Sequence, residues 1–200
     1  MSTIQLNASD RRETTIEGAD RIFRDRWSPR AMSGDALQLD ELMPLLEAAR
    51  WAPSCFNTQP WRFLYALKGD PHWQLFFDLL IEFNQQWATN AGALIAIVSR
   101  NQSSDGKEIP CHSFDTGAAW MSLALQAHHS GLVAHAMQGF DLDAARTQLA
   151  ITDDFAIEAM VAIGKPGSIN DLHERMRDKE VPSDRKPLQD IVCHGPLKTS

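Results

Sequence analysis

Residues 93–98 read ALIAIV, six apolar side chains in a row. The run is too short to cross a bilayer, so it is expected as a strand buried in a protein interior. Such a strand needs covering elements, and the sequence on either side supplies them. Leu39, Leu42, Leu45, Leu46 and Ala49 recur at three- and four-residue steps behind Asp40 and Glu41. That spacing predicts a helix that tolerates Pro44 early and stops at Pro53. WRFLYAL at 61–67 predicts a strand, closed by the turn signal Lys68-Gly69-Asp70-Pro71. Trp73, Phe76, Phe77, Leu80, Ile81, Asn84 and Trp87 then share one face of a following helix, which places Asn84 on its inward side. Small residues, among them Gly117, Ala118, Ala119, Ala124 and Ala127, allow close contact along a central helix at 113–130, with Gly131 as its C-terminal cap. A short strand at 132–137, a helix at 141–150 capped by Asp141 and a strand at 156–163 complete the pattern.

Strands and helices mix without a regular βαβ rhythm, and no GxGxxG or Walker-type loop occurs. A dinucleotide-binding Rossmann unit is disfavoured, and the expected class is α+β. With 200 residues and 44% apolar composition, one core suffices. We divide the chain into a polar N-terminal arm at 1–25, mobile or draped over a partner, and a single domain at 26–200. The tail from Val181 is punctuated by prolines and is expected to reach over a neighbour.

A formal net charge of −7 leaves no broad basic surface for nucleic acid, so any phosphate contact must be local. No stretch is apolar for long enough to span a membrane, and the leader lacks the apolar run of a signal peptide. Cys55, Cys111 and Cys193 are odd in number and widely spaced, which fits reduced thiols. Together these features point to the cytoplasm. His112, His128, His129 and His135, with Cys111, match no zinc spacing, so no metal is expected. GxSxG is absent, which argues against a hydrolase elbow.

Two stretches carry chemistry. In RWSPR, Arg26, Ser28 and Arg30 alternate, so in an extended segment two guanidinium groups and a hydroxyl share a face and can converge on a dianionic phosphate. A solvated basic patch is the other reading of the same spacing. APSCFNTQPW, at 52–61, crowds prolines, Ser, Asn, Gln, Cys and aromatic side chains into a turn between helix and strand. By itself this is compatible with an ordinary helix-stop loop.

RWSPR followed by EAARWAPSCFNTQPW resembles the FMN-dependent nitroreductase family. The resemblance extends to Asn84 and Ala91, the helix leading to HHSGL, the turn MQGFD, AIGKPG and DRKPLQDIV. It implies a central, mainly antiparallel sheet flanked by helices in an interlocked homodimer, with FMN at the subunit interface. By position, Arg26, Trp27, Ser28, Arg30 and Arg185 would hold the FMN phosphate end. Pro53, Ser54, Cys55 and Asn57 would form a wall against the flavin of the partner. Asn84 would reach the ribityl and pyrimidine side, and Gln138 and Gly139 would approach flavin N5 and O4. The implied activity passes hydride from NAD(P)H through flavin N5 to a small electrophilic acceptor, such as a nitroaromatic or quinone, in a ping-pong cycle. No catalytic side chain is assigned. Dehalogenating or flavin-consuming chemistry on the same fold, or non-catalytic binding of a phosphorylated ligand, are the alternatives.

Two departures from the family pattern matter. Ser183 stands where a second basic residue is common, which leaves the phosphate clamp one charge lighter unless Lys186 or the leader compensates. Trp87 stands where Lys or Arg is common near flavin N1 and O2, which implies a weaker flavin oxidant. Trp51, Phe56, Phe76 and Trp87 are expected to wall an open pocket.

Overall fold

The computed structural model describes residues 3–5, 8, 12 and 16–197. At its centre β1 (Trp61–Leu67), β2 (Ala93–Arg100), β3 (Val133–Met137) and β4 (Phe155–Gly164) form one sheet in the order β1-β2-β4-β3. Every neighbouring pair is antiparallel. The ALIAIV run is β2, an inner strand. Successive side chains of a strand point to opposite faces, and both faces of β2 are covered. Leu94 and Ala96 join an apolar cluster with Trp87, Met137 and Met160, whereas Ala93, Ile95 and Ile97 join a second with Leu42, Leu45 and Leu123. No polar alternation is left in the sequence because neither parity meets water.

The second cluster is roofed by α2 (Leu39–Arg50) and α5 (His112–His129). Helix α2 runs through Pro44 and ends at Arg50, with Trp51 as its C-cap. Leu42 and Leu45 are fully buried from it, and Ala119, Ala124 and Ala127 meet the same layer from α5. Each leucine gains about 2 kcal/mol by leaving water. Gly131, at φ 72°, turns the chain out of α5 in the left-handed region that favours glycine.

The first cluster is covered by α3 (Trp73–Asp78), α4 (Glu82–Ala88), α6 (Leu142–Gln148) and α7 (Glu174–Arg177). The single helix expected over 73–87 is therefore two. Its apolar face persists, but the chain leaves the helix at 79–81 to pair with the turn after β3. Leu80 bridges Phe140, the Ile81 amide donates to the Gly139 carbonyl (3.1 Å), and the Asp141 amide donates to the Leu79 carbonyl (2.8 Å). These bonds replace those a continuous helix would have made. Asp141 also caps α6, its carboxylate accepting from the Ala144 amide at 2.9 Å.

Helix α1 (Arg21–Asp25) is capped by Asp20, which accepts from the Ile22 amide at 2.8 Å. Ahead of it, the described leader residues dock on their own chain. The Ile4 amide donates to the Gly167 carbonyl (2.9 Å) and the Ala8 amide to the Asp25 carbonyl (3.1 Å). After α7 the tail holds one 3-10 turn, Leu188–Asp190, and leaves Ile191, Val192 and Leu197 exposed. Among the described residues, no helix is long and apolar enough to cross a membrane, and no group of three or more His, Cys, Asp or Glu side chains is placed to hold a metal ion.

Candidate functional site

The RWSPR segment is fixed from three sides. Beyond its end the Gly167 amide donates to the Ala31 carbonyl and the Ser33 amide to the Lys165 carbonyl, both at 3.0 Å, with Met32 bridging Pro166. AIGKPG carries glycine here because of that closeness: a Cβ on Gly167 would lie 2.3 Å from the Met32 carbonyl. From the tail, Glu180 is nearly buried, and its Oε1 accepts from the Arg30 and Ala31 amides while its Oε2 lies 3.7 Å from Arg30 Nη1. From β3, His135 Nδ1 donates to the Pro29 carbonyl at 3.1 Å.

These supports leave a cavity of about 300 Å³ lined by Arg26, Trp27, Ser28, Arg30, His135, Lys179, Ser183 and Arg185, together with Arg12 from the leader and Val181. Arg26 Nη1 donates to Ser28 Oγ (3.0 Å), as alternate residues of an extended segment should. Arg26 Nε is buried and has no hydrogen-bond partner among the described residues. Burial, followed by the charges of Arg12 and Arg185, lowers the Arg26 pKa. Burial, and then Arg30, pushes His135 down to about 4, so its ring is neutral at pH 7. Cations gathered this closely around a cavity are suited to an anion with several acceptor oxygens.

A second group lies at the far end of β3. Asn84, on α4, donates from Nδ2 to the Gly139 carbonyl at 2.8 Å and accepts from Trp87 Nε1 at 3.3 Å. A Cβ on Gly139 would lie 2.6 Å from Asn84 Nδ2, so here glycine makes room for the side chain that holds the turn. Gln138 Nε2 donates to the Glu158 carbonyl. That carbonyl is available because Glu158 is the extra residue of a β-bulge: Ile97 pairs Ala159 and Val98 pairs Ile157, so Glu158 faces no partner. Its carboxylate accepts from the hydroxyls of Ser99 and Ser113.

The third group, the 53–57 turn, is built by its own polar groups. The Asn57 amide donates to the Ser54 carbonyl (3.0 Å), Ser54 Oγ accepts from the Gln59 amide (3.0 Å), and Gln59 Nε2 donates to the Asn57 carbonyl (3.1 Å). The Cys55 amide donates to Asp115 Oδ2 of α5 at 3.0 Å. A hydrogen bond with the Cys111 thiol is the main cause that raises the Cys55 pKa, so this thiol is not activated. Phe56, Asn57 and Gln59 all have positive φ, at 49°, 57° and 47°. Non-glycine residues there are strained by about 1–2 kcal/mol each. Phe56 nevertheless stands 97% exposed; Trp51 at 73% and Phe114 at 83% are exposed as well.

Within one chain, the structure brings Arg26, Trp27, Ser28, Arg30 and Arg185 to one cavity and links Asn84 with Gln138 and Gly139 through the turn after β3. Pro53, Ser54, Cys55 and Asn57 do not line that cavity. Of the four expected pocket walls, Trp51 and Phe56 are exposed, but Phe76 and Trp87 are core. Trp87 is 1% exposed and packs its ring on His135 at 4.7 Å. A lysine there would bury an ammonium in the apolar cluster. Arg12, His135, Lys179 and Glu180 were not singled out as site residues. Glu180 lies in the ordinary charged string RMRDKE, and nothing local marks it.

The sequence matches the Nitroreductase family over residues 23–72 and 72–165. A solved structure of an oxidoreductase containing FMN shares 44% identity with a TM-score of 0.91, over 96% of this chain and 98% of that one. A nitroreductase family protein from Clostridium difficile 630 superposes with a TM-score of 0.67 at 22% identity, over 88% and 97% of the two chains. An uncharacterised 15.4 kDa protein of Mycolicibacterium smegmatis, from the ask 5′ region, is 28% identical over 117 residues, 58% of this chain and 78% of that protein. A cationic cavity beside an antiparallel sheet, a glycine turn held by an inward asparagine and a match over most of the chain agree with one another: the chain belongs to the nitroreductase family.

Proposed function

We propose that this protein is an FMN-dependent oxidoreductase that works as a homodimer with FMN at the subunit interface, taking hydride from NAD(P)H and passing it to a small electrophilic acceptor such as a nitroaromatic or quinone. The observation that carries the reading is the cavity: Arg26, Arg30 and Arg185 surround it, and a buried guanidinium nitrogen of Arg26 has no partner among the described residues. A phosphomonoester supplies the charge and the acceptor oxygens these groups lack. The FMN-containing relative, at 44% identity, adds support.

Arg26, Ser28, Arg30 and Arg185 would hold the phosphate, with Trp27 beside it. Residues 135–138 of β3 and its turn span about 10 Å at the usual strand rise, which carries the protein from the phosphate end to Gln138 and Gly139, the residues that would meet the flavin. Asn84 fixes that turn, so its backbone presents a constant polar edge. Bound FMN would supply the hydride chemistry; the protein supplies position and electrostatics. Pro53, Ser54, Cys55 and Asn57 would wall the partner's flavin. The exposed aromatic groups Trp51, Phe56 and Phe114 support this, because apolar surface of that kind marks contact regions.

A visible spectrum of the purified protein, before and after FMN addition and then with anaerobic NADH or NADPH, tests the reading. A yellow chromophore that bleaches with the nicotinamide is expected. A preparation that stays colourless after FMN addition overturns it.

A further inference from the structure

The leader residue Arg12 is only 8% exposed, although the segment around it is polar and charged. Its Nη1 donates to the carbonyls of Arg24 and Arg26, both at 2.8 Å, and its Nε donates to the Ser183 carbonyl at 3.0 Å. Arg24 and Arg26 flank the entry to RWSPR, and Ser183 lies 171 residues along the chain from Arg12. One planar guanidinium thus joins leader, clamp segment and tail. The same Ser183 carbonyl also accepts from Arg185 Nη1 at 3.2 Å, so the two arginines share an anchor.

All three of these Arg12 bonds go to neutral carbonyls, so they fix the position of the charge without cancelling it. Asp25 and Asp184 act on it favourably, but burial and Arg185 outweigh them and lower the Arg12 pKa. The result is a cation held rigidly at the rim of the cavity, beside Ser183 and Arg185 of the tail. Ordering a long arginine in this way is unfavourable in side-chain entropy, and no carboxylate bond offsets it at these contacts. A phosphate dianion in the cavity would.

We propose that Arg12 makes the N-terminal leader a working part of the phosphate site: it adds a cation to those of the clamp segment and the tail and positions Arg185 by pinning the tail to the RWSPR segment. The proposal rests on reading the cavity as the phosphate end of an FMN site. By linkage, what Arg12 contributes to phosphomonoester binding, the bound phosphomonoester returns as order in the leader.

Affinities of the full-length apoprotein for FMN and for riboflavin, which lacks the phosphate, test this in wild type, Arg12→Ala and Arg12→Lys. Arg12→Ala should weaken FMN about 10–100-fold, the range expected for a lost charge-assisted contact, and leave riboflavin within about twofold. Arg12→Lys, keeping the charge without the planar fork, should fall between. In wild type, FMN but not riboflavin should slow tryptic cleavage after Arg12, a measurement that does not depend on any variant folding. Equal losses for both ligands in Arg12→Ala, an unchanged FMN affinity, or equal cleavage with FMN and riboflavin would each overturn the proposal. A wild-type protein that binds FMN no tighter than riboflavin would instead overturn the phosphate-site reading beneath it.

Discussion

The cationic cavity and the 53–57 turn solve opposite problems. The cavity gathers arginines from leader, clamp and tail and holds them with groups of its own chain: Glu180 on the Arg30 and Ala31 amides, His135 on the Pro29 carbonyl, Arg12 on three carbonyls. The turn also satisfies its own backbone, but it uses that rigidity to push Phe56 outward in a strained left-handed conformation. One region is built by groups of its own chain and is suited to an anion. The other is complete as backbone and has no apolar cover. Rigid strain beside an exposed aromatic group is what a contact surface requires, whereas buried charge with a full set of protein supports is what a ligand site requires.

The largest test of this contrast is Glu180→Ala. It leaves two amides without their acceptor and the Arg30 charge without its buried partner, so urea unfolding should show a loss of about 3–5 kcal/mol. A loss under 1 kcal/mol would mean that the cavity is not self-supported. His135 gives a pH signature of similar size. The ring titrates near 4 in the fold against 6.5 in the unfolded chain. Between those values the unfolded state binds more protons, so this contribution is fully present above pH 6.5 and is lost as pH falls toward 4, by about 3 kcal/mol. His135→Gln, which keeps a donor for Pro29, should flatten that part of the apoprotein's stability profile. FMN should blunt the slope in wild type, because a nearby dianion favours protonation.

Arg30→Ala should weaken FMN retention by about 1.5–3 kcal/mol, measured by flavin fluorescence on release; unaltered affinity would mean RWSPR faces solvent. The smallest effect on folding belongs to the turn. Phe56→Gly relieves the left-handed strain but gains unfolded-state entropy, so protomer stability should change by less than about 1 kcal/mol. In the proposed homodimer, dissociation read by sedimentation should increase about tenfold or more, because an exposed aromatic group would be lost from the contact. A variant that unfolds without changing association would erase the contrast.

Local signals located most of the framework. β1 matches its expected run, and β2 and β4 differ from theirs by a few residues at the ends; β2, covered on both faces, is the strand whose inner positions are all apolar from Ala93 to Val98. The division of 73–87 into α3 and α4 was not legible: no proline or glycine separates Asp78 from Glu82, and the break comes from pairing with residues about 60 positions later. The site divides in the same way. The RWSPR alternation and the glycine of MQGFD are local and readable. Arg12 and Glu180 act across 171 and 149 residues, and both lie in ordinary charged stretches of sequence. Trp87 shows the converse error: expected to wall an open pocket, it is buried in the apolar cluster.

The bulge at Glu158 also reconciles unequal strand lengths, nine residues of β4 from Phe155 to Ile163 running beside eight of β2. Deleting that surplus residue would regularise the ladder but remove both the carboxylate that gathers Ser99 and Ser113 and the free carbonyl that receives Gln138. A redesign guided only by ideal sheet geometry would therefore straighten the strand and unhitch the loop beside it.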